Sequence, residues 1–322
     1  AEPILKEIFL EGSKETESGE IRASLVADTS CILGECILWE KTAQCVWWTD
    51  IDGRALFRMS TETGDIEKIN MPKMVGGFCF TTQPNILLLG WEDGFQLYDW
   101  VKQEPVGDYS KGPCVNPAGL PSRLNDGRCD PTGDYFVCGA FYGNLPNCKV
   151  NVYAVTCNDG GQNKLSHQPI LENIQITNSL AFDQDKMFFC DSPTKRIRVF
   201  DYQNGQIAQT SMKEIYTWPG VGFPDGSCVD SEGFLWSCIW RQGDGPGKVQ
   251  RIDPSTGEVV FVVHMPDTTS RCTCCCFGGP ELDILFVSTA SIESDLVLEP
   301  KAGGVYAVKL PFTGKPESHF KL

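Results

Sequence analysis

The chain has 322 residues, 41% of them hydrophobic and 21% charged, and its formal net charge of −15 comes with no cluster of Lys and Arg to offset it. Nucleic acid and anionic membrane surfaces are therefore not expected as partners, and no apolar run reaches the roughly 18 residues that suggest a membrane-spanning helix. The length leaves two ordinary domains or one large closed β or α/β architecture, and the acidity favours cations, although a diffuse acidic surface is also an ordinary solvated one.

Taken from the N-terminus, the segments "QCVWWTDID", "ALFRMST", "NILLLGW", "GFQLYDW", "GDYFVCGAF", "VNVYAVT", "KMFFCDS", "RIRVFDY", "GFLWSCIW", "KVQRIDP", "VVFVVHM", "DILFVSTAS" and "GGVYAVKL" are short and rich in β-branched and aromatic residues. Gly, Asp, Asn and Pro punctuate them, which is the pattern of strands joined by tight turns. No long stretch carries apolar residues at helical spacing, so the chain reads as all-β.

The strands recur in a fixed order. Taking the units to start at Glu35, Cys79, Asn125, Asn178, Asp225 and Cys275, the steps are 44, 46, 53, 47 and 50 residues. About four strands at this period is the pattern of a β-propeller. The expectation is a six-bladed β-propeller forming a single domain over residues 1–322. "IRASLV" at 21–26 is placed to add an outer strand to the last blade and close the ring.

In a propeller the innermost strand of each blade lines the central channel, so residues at one phase of the repeat gather at its mouth. That phase holds Glu35 in "LGECILWE", Arg123, Asn125 and Asp126 in "SRLNDGRCD", Asn178 in "ITNSLAFD" and Asp225 in "FPDGSCVD". Each is a polar residue just before an apolar strand. Taken singly, Asp and Asn there are ordinary turn formers. Taken together, the carboxylates of Glu35 and Asp225 and the carboxamides of Asn125 and Asn178 offer only oxygen ligands, which suit hard cations such as Ca²⁺, Mg²⁺ or Mn²⁺. His167, His264 and His319 are scattered, and no Gly-x-Ser-x-Gly elbow occurs, so neither a His-based zinc site nor a serine triad is supported.

Sixteen cysteines in a chain of this length do not read as a disulfide framework. Cys79, Cys138, Cys190 and Cys238 sit in apolar strands as small buried hydrophobes. With no Asn-x-Ser/Thr sequon and no charged-then-apolar leader, the expectation is a reduced, cytoplasmic protein. The Cys272–Cys275 pair in "RCTCCCF" lacks a second ligand pair for zinc, and strand alternation puts Cys272, Cys274 and Cys276 on one face and Cys275 on the other. The glycine-rich "NDGGQNK" (158–164) and "QGDGPGK" (242–248) read as hairpin turns, and Trp39, Trp47, Trp48, Trp236 and Trp240 as filling between blades.

At "LGECILWE", "RLNDGRCDPTGDYF", "TNSLAFDQDKMFFCDS", "FPDGSCVDSEGFLWSCIW" and "TCCCFGGPELDILFVSTAS" the sequence resembles the family of regucalcin (senescence marker protein), gluconolactonases and luciferin-regenerating enzymes. The stretches run in family order from about residue 29 to about residue 310. The resemblance implies one divalent cation in the channel of a six-bladed propeller, Ca²⁺ first and Zn²⁺, Mn²⁺ or Mg²⁺ as alternatives, held by Glu35, Asn178 and Asp225. It also implies a small-molecule lactone substrate held by Arg123 and Asn125, with Asp225 acting on the attacking water. Cys36 and Ser179 stand where the family usually has Gly, and the segment over the channel mouth at 140–155 lacks the usual acidic lid. A calcium-binding regulatory propeller without catalysis, an interaction scaffold, and a hydrolase of another ester, an organophosphate or a luciferin-related substrate share the same fold and stay open.

Overall fold

The computed structural model describes residue 6 and residues 20–112, 122–142, 149–158, 163–241, 245–266 and 269–322. The short apolar runs become strands because each has one or both faces to bury and a turn-former at each end. β1 (Ile21–Arg22) and β2 (Ser24–Ala27) precede six repeats. Blade 1 is β3 (Gly34–Glu40), β4 (Cys45–Asp50), β5 (Ala55–Ser60) and β6 (Ile66–Asn70). Blade 2 is β7 (Val75–Phe80), β8 (Ile86–Trp91), β9 (Gly94–Asp99) and β10 (Glu104–Lys111). Blade 3 is β11 (Arg123–Cys129), β12 (Phe136–Phe141), β13 (Val150–Asn158) and β14 (Lys164–Ile174). Blade 4 is β15 (Thr177–Asp183), β16 (Lys186–Asp191), β17 (Arg196–Gln203) and β18 (Gln206–Thr217). Blade 5 is β19 (Phe223–Val229), β20 (Leu235–Trp240), β21 (Lys248–Ile252) and β22 (Val259–His264), and blade 6 holds β23 (Cys272–Gly278), β24 (Ile284–Thr289) and β25 (Val305–Lys309).

Within each blade consecutive strands are sheet neighbours, which makes the fold a six-bladed β-propeller. Burial falls from the first strand outward: β3, β7, β15 and β19 are almost wholly buried, whereas β6 and β10 are mostly exposed. β2 pairs antiparallel with β25 and completes blade 6, as the N-terminal segment was placed to do. The two residues of β1 instead pair in parallel with β22 and give blade 5 a fifth strand.

The contacts divide the chain into two compact units. In the first, Ala1–Asn70 with Ile215–Glu317, two clusters form the core. Trp39 stacks on Phe286 between blades 1 and 6, and Trp236 meets Phe277 edge-on between blades 5 and 6. In the second, Met71–Glu214 with Ser318–Leu322, one cluster runs through blades 2, 3 and 4, with Phe95 edge-on to Phe136. Buried aromatics of this size each remove a large apolar area from water and so help hold blades together. Four of the tryptophans singled out, Trp39, Trp47, Trp48 and Trp236, are fully buried, while Trp240 is half-buried beneath the guanidinium of Arg271. Cys79, Cys138, Cys190 and Cys238 are buried thiols. Parts of the two glycine-rich stretches and of the 140–155 segment lie outside the described residues; the strands flanking both stretches pair antiparallel, as hairpins require.

Every innermost strand slips register against its neighbour near its start. The slips fall at Glu35–Leu38, Val75–Gly77, Asn125–Gly127, Asn178–Ala181, Pro224–Ser227 and Cys272–Cys274. A bulge inserts an unpaired residue and re-aims the side chains around it. Two expectations are corrected by these bulges. The repeat phase in blades 2 and 6 falls at Val75 and Cys272, earlier than Cys79 and Cys275. The extra residue at Thr273 also moves Cys272 to the other face, so it shares a core cluster with Cys275, while Cys274 and Cys276 lie together in another. No helix of the described residues is long and apolar enough to cross a membrane.

Candidate active site

The bulges carry the polar residues of the repeat phase. In the second unit, Arg123 opens β11 half-buried, with its guanidinium 4.6 Å from the centre of the Phe141 ring. Its Nη1 donates to Asn125 Oδ1 at 2.6 Å. Asn125 is 4% exposed, and its Nδ2 donates to Thr177 O at 2.8 Å and to Asn178 Oδ1 at 3.1 Å. Asn178 Nδ2 in turn donates to Ser192 Oγ at 2.7 Å. Arg123, Asn125, Asn178 and Ser192 thus form one directed chain across blades 3 and 4, in which every carboxamide has its oxygen and nitrogen assigned by a partner.

Asp126 follows Asn125 as the extra residue of the β11 bulge, at φ 36°, a left-handed conformation that Asp tolerates better than most residues. Its Oδ2 accepts the Leu180 N–H at 2.9 Å. Burial pushes its carboxyl up to about 6, partly countered by that hydrogen bond.

In the first unit, Glu35 is 6% exposed on β3 and Asp225 is 4% exposed in the β19 bulge. Gly226 is needed beside Asp225 because a Cβ there would meet Cys274 Sγ at 2.7 Å and Thr273 O at 2.8 Å. The side chain that marks the repeat phase is therefore followed by the residue that lets β19 close against β23. Burial raises the thiol pKa values of Cys238 and Cys272, and the nearby Asp225 carboxylate raises them further, so these thiols stay protonated beside it.

Two acidic residues that the sequence reading passed over build this phase. Asp50, the last residue of β4, accepts the N–H groups of Ile32 at 3.1 Å and Leu33 at 2.9 Å and so fixes the turn that delivers Glu35. Asp191, the last residue of β16, does the same for Asn178 through Ile176 N at 2.9 Å and Gln175 N at 3.2 Å. The signal was present as "TDIDG" and "CDSPT", an Asp ending the second strand of a repeat. Ser192, next to Asp191, was missed as well.

Cys36 and Ser179 adopt φ 46° and 57°. The two positions where glycine was expected keep a left-handed backbone, so the bulges at Glu35 and Asn178 form without glycine.

Among the described residues no three His, Cys, Asp or Glu side chains come together as a metal cluster. Glu35, Asn178 and Asp225 comprise two carboxylates and one carboxamide, all buried and all oxygen donors. Oxygen donors of these kinds suit a hard divalent cation.

A family model described as the SMP-30/gluconolactonase/LRE-like region matches residues 33–291. An L-arabinolactonase of Azospirillum brasilense is 32% identical over 310 residues, covering 93% of this chain and 95% of that protein. A regucalcin of Danio rerio is 29% identical over 285 residues, covering 86% of this chain and 90% of its own length. Among solved structures, a regucalcin of Agrobacterium tumefaciens described as a calcium-binding protein matches with a TM-score of 0.79 at 23% identity, over 93% of this chain and 97% of that one, a likeness of fold.

Proposed function

The chain belongs to the SMP-30/gluconolactonase/LRE-like family, and on that footing we propose that it is a divalent-metal-dependent hydrolase of sugar lactones. The observation that carries the proposal is the placement of Glu35, Asn125, Asn178 and Asp225, each buried and each at the bulge that opens an innermost strand. The match to an L-arabinolactonase supports the substrate class.

In this proposal Glu35, Asn178 and Asp225 hold the cation, Ca²⁺ in the first instance. When bound, the cation supplies a Lewis acid for the lactone carbonyl. Arg123 donates to the sugar oxygens, and Asn125 fixes the guanidinium by accepting from Nη1. Asp225 orients the attacking water and takes its proton; the proton then passes to the ring oxygen as the acyl C–O bond breaks, leaving a hydroxy acid. No histidine is required in the step.

The test is hydrolysis of a panel of aldonolactones by pH-stat on chelator-stripped protein, with Ca²⁺, Mg²⁺, Mn²⁺ and Zn²⁺ restored one at a time. Turnover that returns only with a cation is the expected result; absence of turnover with every cation overturns the assignment. The likeness to a calcium-binding regucalcin favours a second reading, a regulatory metal-binding propeller. Arg123→Ala separates the two: an enzyme loses hydrolysis and keeps its metal affinity, whereas a non-catalytic propeller has no hydrolysis to lose.

A further inference from the structure

The slip in β15 leaves Ser179 and Leu180 outside the ladder to β16, so the Leu180 N–H needs an acceptor elsewhere. The slip in β11 leaves Asp126 as the extra residue there, and its carboxylate is that acceptor. One position earlier, Asn125 donates to Thr177 O. Two consecutive side chains of blade 3 therefore grip blade 4 on either side of Asn178, one through a carbonyl before it and one through an N–H after it. Asn178 is left with little freedom to rotate or shift.

Resting on the assignment of Asn178 as a metal ligand, we propose that Asp126 is a positioning residue for the cation site: it locks the β15 bulge and thereby fixes where the Asn178 carboxamide oxygen points. It acts through the Leu180 N–H and does not touch the metal. What it contributes is a hydrogen-bond acceptor at one place, so an uncharged side chain of the same shape serves equally well. Outer partners of this kind typically change metal affinity by about 10- to 100-fold when lost.

The experiment is calorimetric titration of Ca²⁺ into the chelator-stripped full chain and into Asp126→Gly and Asp126→Asn, with the thermal midpoint of each metal-free protein measured alongside. Glycine removes the acceptor while suiting the left-handed backbone, and asparagine keeps an oxygen in reach of Leu180. The expected result is a dissociation constant raised about 10- to 100-fold in Asp126→Gly and restored to within about threefold of the parent in Asp126→Asn. If Asp126→Gly does not fold, Asp126→Ala takes its place in the same comparison. Unchanged affinity in the truncated variant overturns the inference and leaves the metal assignment standing. Equal weakening in Asp126→Asn overturns it too, because charge and not position would then be at work. A parent chain that binds no Ca²⁺ overturns the metal assignment itself, and the inference falls with it.

Discussion

The side-chain amide of Asn125 donates to the side-chain oxygen of Asn178 at 3.1 Å, joining the bulge of β11 to the bulge of β15. The direction of that bond is set from both ends, since Arg123 donates to Asn125 and Asn178 donates to Ser192. Replacing Asn125 by Asp removes a donor and sets a carboxylate against two acceptors, Thr177 O and Asn178 Oδ1. Asn125→Asp is expected to fold and to lose about 100-fold in kcat/KM on aldonolactones, the scale of a misplaced reacting geometry. Steady-state kinetics with circular dichroism as a folding control decides it.

Ser192 orients the far end of the same chain. In Ser192→Ala the Asn178 Nδ2 loses its acceptor in a buried place, which costs about 1–3 kcal/mol. The midpoint in urea is expected to fall accordingly, and Ca²⁺ affinity about tenfold, as for a lost outer partner of a metal ligand. Ser192→Thr, which keeps the hydroxyl, restores affinity.

Asp225→Asn keeps the size and an oxygen donor but not the capacity to take a proton. Turnover is expected to fall by at least about 100-fold, the range for loss of a general base, while the thermal midpoint of the metal-free protein changes little. Lactone hydrolysis at the parental rate would remove Asp225 from the catalytic step.

Arg251 and Asp230 form a buried ion pair in blade 5, with Nε to Oδ2 at 2.8 Å, and the same Oδ2 accepts Trp236 Nε1 at 2.9 Å. The guanidinium lies against the rings of Phe234 and Phe312. Removing the guanidinium takes the opposite charge from a carboxylate that has no exposure but keeps its hydrogen bonds from Trp236, Glu232 N and Phe234 N, so Arg251→Ala is expected to cost toward the lower end of about 3–5 kcal/mol. Lysine cannot reproduce the planar contact with two rings and is expected to rescue little. Equilibrium unfolding in urea measures both.

His167 accounts for part of the acid sensitivity expected of blades 2 and 3. Its Nδ1 lies 3.0 Å from Ser110 Oγ, its ring packs on Phe95 and Tyr153, and burial holds its pKa below the usual 6.5. A folded-state pKa below the unfolded one means that the unfolded chain binds the proton more readily. The stability this neutral ring contributes is therefore complete above about pH 6.5 and is lost as pH falls through the depressed folded value. Thermal midpoints taken between pH 5 and pH 8 should fall on the acid side in the parent and fall less in His167→Gln; equal slopes would assign the effect to other groups.

The four-strand repeat and the polar residues at its start were legible because turn-formers and apolar alternation report directly on strand ends. Asn125, Asn178 and Arg123 could be singled out that way, and the structure joins them. The bulges were not legible, since an extra residue such as Thr273 breaks no pattern of residue type yet reverses which face Cys272 occupies. The same blindness misplaced the repeat start in blade 2, where the close approach falls on Gly76; a Cβ there would meet Leu124 O at 1.9 Å. Ser192, Asp50 and Asp191 escaped notice because their work is done on neighbouring side chains and backbone N–H groups, which sequence position alone does not reveal.

The completion of blade 6 by β2 has a consequence for synthesis. Ser24–Ala27 leaves the ribosome long before its partner Val305–Lys309 exists. Until then the β2 segment with Leu25 and Val26 lacks the strand it pairs with, and its unpaired backbone and apolar side chains are the kind of surface that recruits other chains. Pairing across so long a separation also makes closure a late step whose rate is set by topology. Nascent chains arrested before residue 305 should accordingly depend on holding chaperones in a way that the finished protein does not.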